Sequence, residues 1–185
     1  MKTRMISASL YGCLTLLVCL LAPGAAFAAS AKEIDIKVDA ALETFKQDIN
    51  GGAKFLENAK GVLVFPEVLK AGFGVGGEYG EGALRIGGKT AGYYSTAAAS
   101  IGFQLGAQVK TIVLVFLEDK ALEKFQNSAG FEIGVDGSVA LIELGAGKDI
   151  NTTDISDPIV GFVLDNKGLM YNLTLEGSKI TKLNK

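Results

Sequence analysis

The chain has 185 residues, enough for one domain with a sizeable core, and 24 of them are glycine. It contains no histidine and two cysteines, so the usual zinc and copper ligands are lacking, as is the usual proton acceptor of a serine nucleophile. A formal net charge of −2 with no basic cluster argues against a dedicated nucleic-acid binder.

Residues 1–28 read as a secretory leader. Lys2 and Arg4 form a basic start, Leu10 to Leu21 is apolar and uncharged, and Ala26-Phe27-Ala28 is an A-x-A cleavage pattern. The expected domain is therefore 29–185, exported to the periplasm or envelope with cleavage near Ala28. Cys13 and Cys19 both fall inside the leader, so the processed chain has no disulfide or thiol chemistry. Lipidation at either stays open, although Cys13 comes early and Val18 is a poor residue to precede Cys19.

Ser30 and Glu33 form a capping-box pattern, after which Ile34, Val38, Leu42, Phe45 and Ile49 recur at helical spacing. The spacing predicts an amphipathic helix over 31–49, stopped by Asn50-Gly51-Gly52, and a second short helix over 53–60. From Gly61 the period changes to that of strands. The pattern predicts strands at 62–65, ended by Pro66, at 73–79 and 82–87 around a turn at Gly80-Glu81, and at 89–94, 98–109 and 111–117. A helix follows at 119–126, capped by Asp119. A strand over 131–144 bends at Asp136-Gly137. A polar loop covers 150–158, a hairpin pairs 159–164 with 169–175, and a last strand covers 179–183.

Half of the glycines lie between Gly61 and Gly106. Gly72, Gly74 and Gly76 alternate with other residues, Gly77, Gly80 and Gly82 follow, and Gly102 and Gly106 sit four apart. At strand periodicity this leaves one face bare, which suits tight curvature. The expected class is α+β: a glycine-rich, mostly antiparallel curled sheet or small barrel, with an N-terminal amphipathic helix and one or two further short helices.

The chemical motifs carry little. Gly72-Phe73-Gly74-Val75-Gly76-Gly77 matches a dinucleotide fingerprint literally, but Glu78-Tyr79-Gly80-Glu81-Gly82 cannot open the helix that fingerprint needs. Ala98-Ala99-Ser100-Ile101-Gly102 resembles a nucleophile elbow without a histidine, and a pairing of Ser100 with Lys89 or Lys110 is a remote alternative. Asp154 and Asp157 read as a solvated loop, Glu78 and Glu81 as surface carboxylates beside a turn, and Asp136 as a turn aspartate. No catalytic residue, metal or cofactor is expected. Lys32, Lys37, Lys46, Lys54 and Lys60 place cations near the first helix, and Glu33, Asp35, Asp39 and Glu43 dilute them.

Ala59-Lys60-Gly61-Val62-Leu63-Val64-Phe65-Pro66, then Lys70-Ala71-Gly72-Phe73-Gly74-Val75-Gly76-Gly77, resembles the opening of the SYLF domain. Segments 100–108, 131–136, 167–171 and 175–178 resemble its later parts, so the likeness covers about Ala31 to Leu183. The chain departs from the family in having Tyr93-Tyr94-Ser95 where a tryptophan often precedes the serine, and in its acidic first helix. The resemblance implies a lipid-binding module. Eukaryotic members bind phosphoinositides, partly through an N-terminal amphipathic helix, and some fungal members bind actin. Secreted bacterial members look like lipoprotein-like envelope proteins.

The reading is a non-enzymatic envelope protein that binds membrane phospholipids, weakly and in a salt-sensitive way. Ile34, Val38, Leu42, Phe45 and Ile49 would supply apolar contact and the five lysines would meet head groups. The helix stripe faces either the core or the membrane. The alternatives are an integral outer-membrane β-barrel and a module that binds a protein partner, actin-like by family analogy.

Overall fold

The computed structural model describes residues 29–143, 157–168, 175 and 177–185. The leader, most of the 150–158 loop and all but Leu175 of the second arm of the hairpin at 169–175 lie outside the described residues. The order is α1 (Ala31–Asp48), α2 (Gly52–Glu57), β1 (Gly61–Ile86), β2 (Lys89–Phe116), α3 (Asp119–Asn127), β3 (Phe131–Glu132), β4 (Ala140–Glu143), β5 (Ile159–Gly168) and β6 (Lys179–Leu183). One sheet holds all six strands. β2 pairs β1 along its length, and also β5 and β6; β3 adds to β6, and β4 adds to β5 as the single parallel pair.

The helix starts where its capping residue predicts. Ser30 is extended and its side chain accepts from the Glu33 amide at 3.2 Å. The third helix differs by one position: Glu118 occupies the cap, without a side-chain bond, and Asp119 begins the helix, where its charge suits the positive end.

The largest difference lies in the strands. The segments expected between Val62 and Ile86 are one strand of 26 residues, and those between Lys89 and Leu117 one of 28. Pro66 does not end β1. It sits in a bulge where two residues oppose one, and the Thr111 hydroxyl donates to its carbonyl at 2.8 Å. Gly80-Glu81 is not a turn; the chain reverses at Gly87-Gly88, both with positive φ, between the paired Ile86 and Lys89. The strand expected over 131–144 is two short ones with different partners. Gly134 has φ +89° and starts a turn in which the Glu132 amide donates to the Asp136 carboxylate at 2.8 Å.

A straight strand of 26 residues would span roughly 85 Å, more than twice the width of such a domain. The ladder therefore bends, with register shifts after Phe65, Phe73 and Leu84. Glycine makes this possible at two places. A Cβ on Gly72 would lie 2.4 Å from the Gly76 Cα, so the strand doubles back within four residues. A Cβ on Gly82 would lie 1.9 Å from the Val64 carbonyl oxygen, so the two halves of β1 meet backbone to backbone. At Gly77, by contrast, the nearest atom is 3.8 Å away, and the sheet does not require a glycine there.

The curl makes two cores. Leu63, Phe65, Leu84, Tyr94, Ile112, Leu114 and Phe116 face inward with α3 and residues of β3, β5 and β6. Val62, Val64, Ala83, Val113 and Val115 face outward and are covered by α1 and α2, where Phe45 and Phe55 both stack edge-on against Phe162 at 5.0 and 5.5 Å. The continuous apolar runs of these strands follow from burial on both faces.

The close approach gives a test. Gly82→Ala is expected to lose about 2–3 kcal/mol or more in denaturant melts, and Gly77→Ala to stay within about 1 kcal/mol of wild type. Equal effects would show that the curl does not depend on the Gly82 contact.

Candidate functional site: an outer groove and two buried ionic clusters

The apolar stripe of α1 is buried in the sheet. Ile34, Val38, Phe45 and Ile49 are all at or below 3% exposure and Leu42 packs at the margin of the same core. In this conformation the stripe is the core face of the helix, and its first residue, Ile34, also lines a groove. The lysines are scattered. Lys37 bridges Glu33 and Glu67, each at 2.9 Å; Lys46 pairs with Glu43 at 2.7 Å; Lys60 lies 3.7 Å from Asp119. Lys32 and Lys54 are exposed. The hydrogen bonds that the Lys37 ammonium donates to Glu67 and Glu33 hold it above its ordinary pKa, and Lys37 lowers that of Glu33.

What fixes the helix is a buried arginine near the tip of the long hairpin. Arg85 is 8% exposed and reaches Asp35 at 2.9 Å and Asp39 at 2.6 Å. Asp35 also accepts from the Thr90 and Tyr93 hydroxyls, both at 2.8 Å. Burial would raise the Asp35 carboxyl, but these two hydrogen bonds and the Arg85 charge outweigh it and hold it below the ordinary 3.8. The bond to Asp35 and burial together raise the Tyr93 hydroxyl.

Beside the start of α1 lies a groove of about 670 Å³, the size of a small-ligand site. Leu69 and Val109, directly paired across β1 and β2, and Tyr79 form its apolar floor and are 52%, 42% and 52% exposed. Lys37, Glu33, Glu67 and Glu81 give it a charged rim. Glu81 is a hub. It accepts from the Ala29 amide at 3.1 Å and the Tyr79 hydroxyl at 3.0 Å and pairs with Lys185 at 3.1 Å, whose ammonium also donates to the Ala29 carbonyl.

The opposite face of the same strands carries a second ionic cluster. Lys70 and Lys110 approach the two carboxylate oxygens of Glu78 at 3.1 and 2.7 Å, with all three side chains at or below 7% exposure. Glu78 is thus a buried ion-pair member and Glu81 a partly buried one, not surface carboxylates beside a turn; the strand runs through where a turn was expected. Lys110 is committed to Glu78, and Ser100 lies within β2, so the strand-to-helix elbow a serine nucleophile needs is not formed. The G-x-G-x-x-G run likewise lies inside β1, with no helix after it.

Residues 97–185 match the family model described as Ysc84, Las17-binding protein actin regulator. The chain belongs to the Ysc84 (SYLF) family. It is 30% identical over 131 residues to the SH3 domain-containing YSC84-like protein 1 of Rattus norvegicus, and equally to that of Homo sapiens. Each match covers 68% of this chain and 38% of the relative, so the chain spans well under half the length of these relatives. The family description names a binding protein and regulator. The groove and the interior cluster of this Ysc84-family chain draw on β1 as well as β2, and so reach beyond the matched residues.

Of the residues singled out in sequence, Ile34 and Lys37 meet at the groove, and Val38, Leu42, Phe45, Ile49, Lys46, Lys54 and Lys60 do not line it. Leu69, Tyr79, Val109, Arg85, Lys70 and Gln108 were missed. The available signal was charge inside apolar strands: Lys70, Glu78, Arg85 and Lys110 each interrupt a β pattern.

A carboxyl with a depressed pKa stabilises the fold above its unfolded pKa, and that contribution is lost as pH falls through the folded value. Thermal stability is therefore expected to decline below about pH 4, and Asp35→Asn to melt lower at neutral pH with a flatter acid decline. Parallel acid profiles for the two proteins would remove Asp35 from this role.

Proposed function

We propose that this Ysc84-family chain is a non-enzymatic phospholipid-binding protein of the bacterial cell envelope, and that the groove beside α1 is where it takes lipid. The groove supports this reading by exposing Leu69, Val109 and Tyr79 together as an apolar floor for an acyl chain, with the Lys37 ammonium, paired with Glu33 and Glu67, at its rim. Outward apolar residues elsewhere on the central strands are covered by α1 and α2, which counts against a lipid-facing barrel wall. The second reading, a protein-binding module, draws on the family description as a Las17-binding actin regulator.

Liposome sedimentation of the folded protein separates the two. Wild type is expected to pellet with phospholipid vesicles, and Leu69→Asp/Val109→Asp to lose at least about tenfold in affinity while keeping its melting profile. The reading fails if no vesicle binds the folded protein, or if the double variant binds as wild type does. Phe45→Asp is unsuited to this purpose, because Phe45 is core and its loss unfolds the helix–sheet contact.

Export fits the position of Ala29. Cleavage after Ala28 turns the amide nitrogen that already donates to Glu81 into an α-ammonium 3.1 Å from that carboxylate. A cation there would oppose the helix dipole of α1, and Glu81 offsets it. A chain beginning at Ala29 is expected to be more stable, by about 1 kcal/mol, than one with an extra alanine ahead of it, and Glu81→Gln to erase the difference. Mass spectrometry of the exported protein that placed its first residue elsewhere would overturn the assignment.

A further inference from the structure

The middle of the long hairpin is inside out. An antiparallel sheet with one wet face turns apolar residues to the core and polar ones to water. Around the bend of β1 the inward positions instead hold Lys70, Glu78, Gln108 and Lys110, all buried, with Glu78 paired to both lysines. The outward positions of the same stretch carry no charge among the described residues. Their rungs are Ala71–Ala107, Gly77–Ala99 and Tyr79–Ala97, all exposed, and they continue the Leu69–Val109 floor of the groove past the bend. Val75 does not line the groove and is 70% exposed.

The shape of this face selects what can cover it. Gly72 shares the inward side with Lys70, and a Cβ there would strike the Gly76 backbone. The strand therefore folds toward its inward side, the outward side is convex, and Val75 stands at its crest. A second copy would set one convex face on another and touch it along a line. A protein interface holds about one hydrogen bond per 100–200 Å². Among the described outward side chains the hydroxyl of Tyr79 is the one such group, and it already donates to Glu81 at 3.0 Å. Acyl chains need no hydrogen bond and flow around a crest. Sheets that face lipid have this same order, apolar outward and polar inward. Charge begins at the borders and has both signs, with Lys179 opposite Ala97 on β6 and the Lys37–Glu67 pair beside the groove.

We propose that this convex face, with Val75 at its crest, is the surface by which the protein lies on a phospholipid bilayer, its apolar residues reaching the boundary between head groups and acyl chains. The proposal rests on the reading of the chain as a phospholipid-binding protein, and not on the groove as the pocket for a lipid. Leu69, Tyr79 and Val109 belong to both, so adsorption through this face turns the groove toward the bilayer. The contact is apolar, and a zwitterionic surface suffices for it.

The chain has no tryptophan, so Val75→Trp reports from the crest alone. With phosphatidylcholine vesicles its emission is expected to move to shorter wavelength and to be quenched by brominated acyl chains. Val135→Trp, at an exposed valine outside this face, is expected to do neither. Val75→Asp is expected to keep its melting profile and to bind the vesicles at least about tenfold more weakly. Should Val75→Asp fail to fold, the quenching of Val75→Trp decides. Dihexanoylphosphatidylcholine below its micelle concentration separates the groove from the face, because a single lipid can fill a groove but offers no surface. Val75→Asp is expected to bind it as wild type does. If neither protein binds it while Val75→Trp still shifts on vesicles, the groove fails and the membrane face stands. Unshifted emission on vesicles that hold the protein overturns the face and leaves the groove reading in place. So does vesicle binding by folded Val75→Asp equal to wild type. Vesicle binding lost on raising the salt to physiological strength assigns the contact to charge and overturns the proposal. So does a shift without lipid that grows with protein concentration alongside a dimer in sedimentation, since a second copy then covers the face. Absence of any vesicle binding ends the lipid reading and this proposal together.

Discussion

The contact between the Val64 carbonyl and Gly82 sets the geometry of this domain, because it joins the two halves of one strand where no side chain fits between them. Without it a hairpin of this length would project as a ribbon, exposing Leu63, Phe65, Leu84 and Leu114 on one side and Val62, Val64 and Val113 on the other. Curling gives the first set an interior and leaves the second set a convex face for α1 and α2 to cover. The glycines at 80 and 82 are thus tied to the helix upstream: the helix has a surface to dock on because the sheet is bent. Backbone contact of this kind tolerates no methyl group, which makes it an all-or-none condition, unlike the graded cost of thinning an apolar core.

Charge does separate work on the two faces. Outside, Arg85 holds Asp35 and Asp39 and so pins α1 near the hairpin tip, while Glu81 gathers the residues that lead into α1 and follow β6 through Ala29 and Lys185. These contacts are specific where the apolar stripe is not, since a stripe of Ile, Val, Leu and Phe would accept several rotations of the helix. Inside, Glu78 joins the halves of β1 across the bend, yet leaves Gln108 unsatisfied.

Much of the architecture was legible. The helix was visible in its Ser30–Glu33 cap and five-residue stripe, and the curl in the alternating glycines. Element length was not. Pro66 and Gly80-Glu81 are turn signals locally, and each was overruled by pairing with β2: Thr111 bonds the proline carbonyl, and Gly80 and Glu81 pair with Thr96 and Ser95. Nothing in a strand's own residues records that its two ends touch. The same limit hid the outer groove. Leu69, Tyr79 and Val109 read as ordinary strand residues, and they lie beside the start of α1 instead of beneath it. The helix stripe drew attention because amphipathicity is readable without knowing the partner; the structure supplies the partner, and it is the sheet.

The tight reversal at Gly87-Gly88 bears on how the chain assembles. Residues flanking it are separated by two positions in sequence, so their pairing closes the shortest loop between the described strands. Each further pair down the ladder then closes only a slightly longer one, as in a zipper, until the bulge opposite Thr111 is passed. Contacts that bring in β5, β6 and α1 span far more chain and follow a platform that is already built. The long hairpin thus lets a mostly β protein begin folding with local contacts, delaying the slow steps until a curved surface exists to receive them.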